Sequence, residues 1–438
     1  MLSISFSLQE YLWGMLTEHV ELWLLLFPMF VLVELPLLIL VMIGIFRWGF
    51  NRKDIVLTTY PSVSIIITCY SEGETIGITI DTLAEQLYPG NIEILAVVDG
   101  ASQNIATYTA AMAGAKRYAN LPNRDVRVIP KWQRGGRVST LNAGLDKSSH
   151  EFVFNVDGDT SFDNDMVSNM IYQFETPEII ASGGALRVRN STTNLLTRMQ
   201  SIEYMVAMQA AKTGMANFGV LNNISGAFGA FRKTILKQVG GWDTHTAEDL
   251  DLTMRLKQYK RRYPLTRLGF TPHAVGHTDV PHTIKGFMSQ RLRWDGDLFF
   301  LFMRKHKKGI TPKLMGWGNF IFTLAYSVIQ NILLPFLVLG YTIFLSFNFP
   351  SAWVAALFIL LYTLYFSLEL LCFIVYLGLV SEKPMQDIKM TIWLPLYPFY
   401  QFFTILLSAF AVLNEIVRRG HEESTMAPWW VLKRGKRF

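Results

Sequence analysis

The sequence predicts an α/β domain inserted between transmembrane α-helices, and two observations indicate this fold class. The first is composition: 51% of the 438 residues are hydrophobic and only 17% are charged, whereas soluble proteins carry about 25% charged residues. The second is distribution, because the apolar excess falls near the two ends of the chain. Between them, from Asn51 to about Thr311, strand and helix patterns alternate in a sequence of ordinary mixed composition.

Four apolar stretches are long enough to cross a bilayer as helices, which takes about 20 residues. They run from Leu22 to Phe46, from Trp317 to Phe347, from Ala352 to Val380 and from Met390 to Val417. The first is too long for the apolar part of a cleavable signal peptide, and it lacks a basic start and a small-residue cleavage site. We therefore expect it to remain in place as an anchor.

Charges beside the first stretch predict the orientation of the chain. Acidic residues precede this stretch and basic residues follow it, and basic residues stay on the cytoplasmic side. The acidic residues are Glu10, Glu18 and Glu21, and the basic residues are Arg47, Arg52 and Lys53. The prediction is a multi-pass protein of the cell (inner) membrane, in contact with membrane lipids, whose α/β domain is cytoplasmic.

The C-terminal tail conflicts with this orientation. Three late spans would put the C-terminus outside, yet the tail is basic and favours the inside. Its basic residues are Arg418, Arg419, Lys433, Arg434, Lys436 and Arg437. A re-entrant or interfacial late segment would resolve the conflict, and the third is the best candidate because it contains Pro395 and Pro398. The number of late spans and the side of the C-terminus stay open.

Overall charge and cysteine content exclude several classes of function. The net charge of +6 fits contact with anionic lipid or with a phosphate-bearing substrate. The two cysteines, Cys69 and Cys372, provide neither a disulfide framework nor a zinc site. No segment resembles a nucleic-acid-binding module, so we expect no nucleic-acid partner.

Alternating strand and helix patterns predict a parallel sheet in the domain between the spans. Val63 to Thr68 and Ile92 to Val98 are β-branched runs, and Glu74 to Leu87 between them has helical spacing. The pattern then recurs as a strand from Val126 to Ile129, a helix from Arg137 to Lys147 and a strand from Glu151 to Val156. Right-handed crossovers join such strands, and ligands bind at their carboxyl ends.

Acidic residues follow the predicted strands at that end. They are Glu72, Asp99, Asp157 and Asp159. Two carboxylates one residue apart, Asp157 and Asp159, suit a hard divalent cation, Mg²⁺ or Mn²⁺, which neutralises a diphosphate leaving group. The alternative is a turn rich in aspartate that holds no ligand. The position after an apolar strand, beside other acidic strand ends, favours the metal.

Two further features of this end suit a nucleotide. Asp99 with Gly100 is suited to hydrogen-bonding a base or ribose, although a simple turn explains the pair equally well. The basic, glycine-containing stretch that includes Lys131, Arg134 and Arg137 is suited to a diphosphate. A solvated surface loop is the competing interpretation of that stretch.

Glu248 and Asp249 begin a predicted helix near Leu250. Acidic residues are favoured at a helix N-terminus by the helix dipole alone. The functional interpretation makes Asp249 the general base that deprotonates an acceptor hydroxyl. Inversion at a sugar carbon needs only one such base, whereas a double displacement needs a nucleophile as well.

The string Gln290-Arg291-Leu292-Arg293-Trp294 lies in a helical pattern just before the late apolar stretches. Arg293 is suited to bidentate binding of a diphosphate and Trp294 to stacking on a sugar ring. The alternative is a belt of arginine and tryptophan at the membrane interface. Upstream, Asn194 to Phe218 (near 194–218) predicts an amphipathic helix lying on the membrane or packing under the spans. The irregularly spaced His273, His277 and His282 are interpreted as ordinary polar residues.

Taken in order, six strings resemble the membrane-embedded family 2 glycosyltransferases, which include cellulose, chitin, hyaluronan and bacterial poly-N-acetylglucosamine synthases. The resemblance covers about Pro61 to Trp294. The strings are ITCYSE (Ile67 to Glu72), VDG (Val98 to Gly100), NVDGDT (Asn155 to Thr160), SGAFGAFRK (Ser225 to Lys233), TAEDLDLTMRL (Thr246 to Leu256) and QRLRW (Gln290 to Trp294). Each alone is weak, but the ordered set is specific and favours the functional interpretations above.

The resemblance implies a GT-A fold (nucleotide-diphospho-sugar transferase) and a role for each matching residue. Thr68, Tyr70, Glu72 and Asp99 would bind the nucleotide, with Arg137 and Asp157 completing the nucleotide-sugar site, and Asp157 and Asp159 would serve the metal and diphosphate. Ser225, Gly226, Ala227 and Glu248 would border the acceptor, Asp249 would be the base, and Gln290, Arg293 and Trp294 would bind the diphosphate and acceptor terminus.

The chain departs from the family pattern at several positions. Thr68 and Ser71 replace a frequent proline and asparagine, and Arg137 stands where lysine is common. Ala247 separates Thr246 from Glu248, and the acidic string Asp295-Gly296-Asp297 follows Trp294, where relatives often have small or uncharged residues. The acidic string suggests a change at the channel mouth or in acceptor preference.

Three functions stay open at this point. The first is a processive inverting synthase that polymerises a β-linked, poly-N-acetylglucosamine-like polysaccharide from a UDP-sugar and passes the growing glycan into a membrane channel. The second is a non-processive transferase that glycosylates a lipid acceptor, and the third is a transporter or scaffold with a degenerate nucleotide-binding domain. The resemblance also implies small membrane or periplasmic accessory proteins as partners.

The same features divide the chain into five regions. They are residues 1–50 with one transmembrane helix, the glycosyltransferase domain at 51–283, the QRLRW-bearing interface segment at 284–315, the membrane region at 316–417 and the basic tail at 418–438.

Overall fold

The computed structural model describes residues 30–52, 56–244 and 246–423, together with Glu10 and Gly14. The start of the first predicted apolar stretch at residues 22–29, the flanking residues Glu18, Glu21 and Lys53, and the basic tail from residue 424 onward lie outside the described residues.

A single mixed sheet of eight strands forms the centre of the domain between the spans. The strand order is β3-β2-β1-β4-β7-β6-β8-β5. The strands are β1 (Val63–Cys69), β2 (Ile92–Asp99), β3 (Arg124–Lys131), β4 (Phe152–Asp157), β5 (Ser161–Phe162), β6 (Ile179–Val188), β7 (Phe228–Arg232) and β8 (Arg267–Thr278). The first four strands match the four predicted ones to within two residues at every end.

The predicted parallel arrangement is confirmed for β1 to β4. Strand β1 pairs in parallel with β2 and with β4, and β2 pairs in parallel with β3. Alternate residues of β1 serve opposite faces, because Ile65 and Ile67 pack in one buried cluster and Ile66 in another. Both faces of the sheet are therefore covered by apolar layers, which explains why β1 and β2 read as continuous apolar runs.

The other half of the sheet contains the antiparallel pairs. Strand β7 runs antiparallel to both β4 and β6, while β6 and β8 are parallel. Glycines in β6 permit this packing: a Cβ on Gly184 would lie 1.9 Å from the ring of Phe228. The sequence patterns predicted none of the strands in this half, because glycines replace the β-branched residues that mark a strand.

Helices cover the sheet and continue into the apolar region. The predicted helix from Arg137 to Lys147 has these bounds in the structure, and the one predicted from Glu74 to Leu87 is shorter. The α-helices are α1 (Leu35–Phe50), α2 (Thr75–Ala84), α3 (Ile105–Arg117), α4 (Arg137–Lys147), α5 (Met166–Phe174), α6 (Leu195–Glu203), α7 (Ala211–Asn217), α8 (Lys233–Gln238), α9 (Glu248–Arg262), α10 (Ile284–Phe300), α11 (Pro312–Met315), α12 (Trp317–Phe322), α13 (Leu334–Asn348), α14 (Ser351–Val375), α15 (Pro384–Asp387) and α16 (Tyr397–Arg418).

The predicted amphipathic helix is present as one continuous helical segment. It consists of α6, a π-helical stretch Tyr204–Ala210 and α7. Its apolar face packs in a cluster with residues of the late helices, including Tyr376 and Tyr400. The segment therefore lies between the sheet and the apolar helices, as the prediction of packing under the spans requires.

Close glycine packing joins α7 to α1. A Cβ on Gly44 would lie 2.3 Å from the carbonyl oxygen of Gly214, and a Cβ on Gly214 would lie 2.3 Å from that of Val41. Only glycine permits backbones to approach this closely, as at small-residue contacts between membrane helices. The domain and the first apolar helix are thus in direct backbone contact.

Within the described part of the chain, four helical segments are long and apolar enough to cross a membrane. They are Phe30–Phe50, Trp317–Asn348, Ser351–Val380 and Pro384–Arg418, and the last three match the predicted late stretches. The fourth begins irregularly, because Ile388–Leu396 is a 3₁₀ helix that contains Pro395. The re-entrant character suggested for this segment stays a prediction.

Candidate active site

The acidic strand ends meet at one edge of the sheet. The last residues of β1 and β4 are neighbours, since Thr68 pairs with Asp157 in the register. The amide of Gly158 donates to the carbonyl of Thr68 at 3.1 Å, so the turn that carries Asp157 and Asp159 packs against the end of β1. The predicted clustering of these residues at the carboxyl edge is present in the structure.

Arg137, the first residue of α4, is the centre of this edge. Its guanidinium lies 2.5 Å from Asp157 Oδ1 and 2.6 Å from Glu248 Oε1. It also donates to the Thr68 hydroxyl at 3.2 Å and to the Gly226 carbonyl at 2.6 Å. One arginine therefore connects residues of four of the six recognised strings.

Three carboxylates lie near one another beside Arg137. Burial and the charges of Asp157 and Asp159 raise the pKa of Glu72 to about 7, against opposing backbone hydrogen bonds. Partial desolvation and the Asp157 charge raise the pKa of Asp159, although its side chain still reaches solvent. Burial is the main cause of both raised pKa values and the neighbouring carboxylate charges add to it, so a bound cation would lower both.

The carboxylates at this edge could bind a divalent metal ion only if further ligands came from outside the protein. Asp157 and Asp159 provide hard oxygen donors, and Glu72 Oε2 is buried with no hydrogen-bond partner. Among the residues that the structure describes, no three His, Cys, Asp or Glu side chains are arranged as a metal site. A metal here would take its other ligands from water and a diphosphate, as Mg²⁺ commonly does.

Asp99 holds the glycine stretch that precedes α4. Its buried carboxylate accepts hydrogen bonds from the amides of Gly135 and Gly136, each at 2.8 Å, and from Lys131 Nζ at 2.7 Å. In this structure Asp99 thus fixes the start of α4 and the position of Arg137. Its predicted contact with a nucleotide stays a prediction.

Tyr70 and Arg134 form an aromatic and cationic rim above this stretch. The guanidinium of Arg134 lies 4.0 Å from the centroid of the Tyr70 ring, a cation–π contact. Tyr70 is largely exposed, so its ring is accessible at the mouth of the site. A flat surface of this kind suits a nucleotide base.

Asp249 lies at the start of α9 and faces the segment Ser225–Gly226–Ala227. Its Oδ2 accepts from the side chain of Asn223 at 3.0 Å and from the amide of Gly226 at 3.2 Å. A Cβ on Gly226 would lie 2.8 Å from Glu248 Oε1, so glycine is needed for this approach. The structure therefore brings Asp249 and Glu248 to the same place as Arg137 and Asp157.

The helical prediction for the QRLRW string is confirmed in α10. Trp294 packs against the apolar cluster of the sheet, and Gln290 Oε1 is buried without a hydrogen-bond partner. Arg293 opposes the raised pKa of Asp297, so its charge lies near that carboxyl. The string is thus placed between the sheet and the late helices, while the ligands of Gln290, Arg293 and Trp294 stay predictions.

The sequence patterns did not predict a network of hydrogen bonds around Arg291, the second residue of the string. Arg291 donates to Glu203 Oε1 at 2.8 Å and also contacts Glu203 Oε2, while the Tyr400 hydroxyl donates to Glu203 Oε2 at 2.6 Å. The Arg291 guanidinium also lies 5.1 Å from the centroid of Trp294. These residues connect α6, α10 and α16. A buried charge pair in three separate elements leaves no local pattern by which to find it.

Lys212 in α7 was missed as well. It is buried, and this burial lowers its pKa to about 8, while the charge of Asp249 acts in the opposite direction. Since the charge of Asp249 affects the pKa of Lys212, the amine lies on the Asp249 side of the site. In the sequence it reads as one polar position of an amphipathic helix.

The three histidines have separate polar partners. His273 Nδ1 lies 2.6 Å from Glu382, and His277 Nε2 lies 3.1 Å from Asp163, while the His282 carbonyl accepts from Asn194 at 2.7 Å.

Comparison with known proteins identifies the family to which the domain is similar. Residues 64–240 match the family model described as glycosyl transferase family 2. The chain is 30% identical over 332 residues to a poly-beta-1,6-N-acetyl-D-glucosamine synthase of Staphylococcus epidermidis, covering 75% of this chain and 76% of that protein. A protein of the same name from Staphylococcus aureus (strain COL) is 31% identical over 250 residues, which is 57% of each chain.

The fold is similar to that of a solved glycosyltransferase. The mannosyltransferase PcManGT from Pyrobaculum calidifontis, in complex with GDP-Man and Mn²⁺, aligns with a TM-score of 0.55 and 17% identity over 88% of this chain and 96% of that chain. This likeness concerns the fold alone and agrees with the GT-A class. The chain belongs to glycosyl transferase family 2, as a membrane-embedded glycosyltransferase similar to bacterial polysaccharide synthases.

Proposed function

We propose that this glycosyltransferase is a processive, inverting synthase that extends a β-linked polysaccharide from a UDP-sugar, with UDP-N-acetylglucosamine as the first candidate donor. The position of Asp249 carries the proposal. Its carboxylate is held by Asn223 and the Gly226 amide, on the segment whose carbonyl binds Arg137. A base and a diphosphate-binding arginine on two sides of one short loop are what a single displacement requires.

The donor would bind by replacing internal partners of Arg137. In the ligand-free protein, Arg137 is neutralised by Asp157 and Glu248. An incoming diphosphate offers the same guanidinium stronger, bidentate oxygen partners. Tyr70 and Arg134 are available to stack on the base, while Asp99 keeps α4 in place.

Transfer would then need one proton acceptor. Asp249 takes the proton of the acceptor hydroxyl as its oxygen forms the bond to the anomeric carbon. The bond from that carbon to the diphosphate oxygen breaks on the opposite face, and UDP leaves with the electron pair. The configuration inverts, so an α-linked donor gives a β-linked product.

A divalent cation, Mg²⁺ or Mn²⁺, held by Asp157 and Asp159 would supply neutralisation of the diphosphate charge. The similar mannosyltransferase PcManGT was solved with Mn²⁺, which supports this choice. The cluster of Glu72, Asp157 and Asp159 supports it further, because a bound cation would offset the negative charge of these carboxylates.

The proposed orientation places this site in the cytoplasm, where sugar nucleotides are made. Two basic residues support it, Arg47 in the last turn of the first span and Arg52 just after it. The growing glycan would then enter a path between the late helices and leave on the other side of the membrane.

A donor screen on detergent-purified full-length protein tests the proposal. UDP-GlcNAc, UDP-Glc, UDP-GlcA and GDP-Man are each supplied with Mg²⁺ or Mn²⁺, and nucleotide release and product length are measured. We expect high-molecular-weight polymer from UDP-GlcNAc and no turnover in excess EDTA.

Two results would contradict parts of the proposal. Products of a single added sugar would indicate a non-processive transferase with a lipid acceptor and would remove the channel from the function. Undiminished turnover in EDTA would remove the metal.

A further inference from the structure

Two departures from the family pattern meet in the structure. The hydroxyl of Thr246, directly before the inserted Ala247, donates to Oδ1 of Asp297, the last residue of the acidic string after Trp294. Both residues are buried, Thr246 with 4% and Asp297 with 9% of its surface exposed. Asp297 therefore contacts the loop before α9, whereas Asp295 of the same string accepts a hydrogen bond from Ser408 of α16 at 2.7 Å.

Ala247 adopts a backbone conformation that alanine rarely takes. Its φ of 52° and ψ of 37° are left-handed, a conformation in which the Cβ crowds the following carbonyl oxygen. Its methyl group is buried in a cluster with Leu301 and Phe302, which follow α10, and with Val412 of α16. The strained turn is therefore held by the Asp297 hydrogen bond on one side and by apolar packing on the other.

This turn determines where α9 begins. The carbonyl of Ala247 accepts from the amide of Asp251 at 2.9 Å, which closes the first turn of the helix. Glu248 and Asp249 are the first two residues of that turn. A change in the Ala247 backbone would therefore move the carboxylate of Asp249 away from Asn223 and Gly226.

A second contact holds α9 from the same direction. Asp251 lies 2.9 Å from Lys305 and 2.8 Å from His306. Lys305 ends the π-helical segment Leu301–Lys305, which continues α10, and His306 follows it. The helix that carries Trp294 and its continuation thus contact the start of α9 through both Thr246 and Asp251.

We propose that Asp297 is a positioning residue for sugar transfer, which holds Thr246 and the left-handed Ala247 turn so that Asp249 is aimed at the acceptor. The proposal rests on the proposed function, because it takes Asp249 as the base. It gives the acidic string a role within the protein, connecting the helix of the acceptor-side tryptophan to the loop that presents the base.

Substitutions at both ends of the hydrogen bond test the proposal. Asp297→Ala and Thr246→Val each remove the bond, and Thr246→Ser retains a hydroxyl and serves as the matched control. We expect each of the first two to lower kcat for transfer about 100-fold, the scale of a displacement of about 1 Å in a catalytic group. The Kd for UDP-GlcNAc should change less than twofold, because the donor contacts of Arg137 are not altered.

A rescue experiment separates positioning from general damage. Glycine adopts the left-handed conformation without the penalty of a Cβ, so Ala247→Gly should relieve the need for the hydrogen bond. We expect the double variant Asp297→Ala/Ala247→Gly to regain at least tenfold in kcat over Asp297→Ala. A double variant no better than Asp297→Ala, or a loss of donor affinity equal to the loss of kcat, would overturn the proposal.

Hydrogen–deuterium exchange of amides 246–251 distinguishes this proposal from the proposed function. Exchange should be faster in Asp297→Ala and Thr246→Val than in wild type or Thr246→Ser, whether or not a sugar is transferred. Wild-type protein that turns over no donor would refute the synthase function while the exchange still tests the turn. Unchanged exchange in both variants would overturn the positioning role.

Discussion

The charged residues on the donor side of the site and those on its membrane side are paired in different ways. On the donor side, Arg137 divides its hydrogen bonds among Thr68, Asp157, Gly226 and Glu248, and the Asp157 side chain is partly exposed to solvent. On the membrane side, Arg291 has one carboxylate partner, Glu203, and is buried between helices.

The difference indicates that the charged residues around Arg137 and those around Arg291 have different roles. A partner that is shared and partly exposed, as Asp157 is, can be exchanged for a ligand, since an anionic ligand offers the arginine the same kind of oxygen acceptor. A buried pair with fixed partners resists exchange, because separating its charges leaves one of them unpaired in an apolar environment. We therefore expect donor-side substitutions to change kinetics, and membrane-side substitutions to change stability or geometry.

The largest expected effect is at the junction of the two sides. Asp249→Asn removes the proposed base but keeps an oxygen for the Asn223 and Gly226 hydrogen bonds. We expect transfer to fall about 10³-fold or more, at the upper part of the range for general base catalysis, with donor binding retained. Parallel measurements of kcat and of the Kd for UDP-GlcNAc check this. An equal loss of donor affinity would show that Asp249 binds rather than catalyses.

The next effect is expected on the membrane side. Glu203→Gln leaves the Arg291 charge buried without its hydrogen-bonded carboxylate partner and should lower the free energy of unfolding by about 3–5 kcal/mol. Thermal unfolding in detergent measures the loss. The matched control is the double variant Glu203→Leu/Arg291→Met, which removes both charges and should regain much of the stability. A Glu203→Gln protein that unfolds at the wild-type temperature would contradict a structural role for the membrane-side pair.

A smaller effect is expected on the donor side. Arg137→Lys keeps the charge but cannot reach Asp157, Glu248 and Gly226 at once. We expect kcat/KM to fall about tenfold to 100-fold, as for the loss of one charged hydrogen bond worth about 1.5–3 kcal/mol. Initial rates against donor concentration measure it, with Arg134→Lys as the matched control that affects mainly KM. A fall in unfolding temperature in place of a kinetic change would assign Arg137 to the scaffold.

The smallest effect concerns pH. Burial raises the pKa of Asp297 to about 7, the charges of Glu248 and Asp249 add to this, and Thr246 and Arg293 oppose it. The folded protein then binds a proton that the unfolded chain has released above about pH 4, so this group's contribution to stability is lost as pH rises to 7.

Asp297→Asn removes this dependence. Between pH 5.5 and 8, wild type should lose about 2–4 °C more in unfolding temperature than Asp297→Asn. Parallel melting curves for the two proteins would contradict the raised pKa.

Local sequence patterns were sufficient to predict the strands of one half of the sheet but not those of the other half. Strands β1 to β4 alternate with helices, and β1 and β2 are continuous apolar runs, so this half is recognisable from local sequence. The pairing of β6, β7 and β8 depends on residues distant in sequence, and the contact between Gly184 and Phe228 becomes visible only when both strands are placed.

The candidate site shows the same division. Asp157, Ser225 and Asp249 lie in strings that resemble a known family, and the structure brings them to one edge of the sheet. Glu203, Arg291 and Lys212 were missed because a charged residue in a helix normally predicts a solvated face. Their burial results from tertiary packing between α6, α7, α10 and the late helices.

The glycine contact between α1 and α7 also has a consequence for biosynthesis. Gly44 and Gly214 touch, yet 170 residues separate them in the chain (214 − 44). At a translation rate of about 5–20 residues per second, the first helix waits on the order of 10–30 s in the bilayer before the ribosome has made its partner. During that interval its glycine face is open to lipid or to other newly made helices, so the fidelity of assembly depends on which of them reaches this face first.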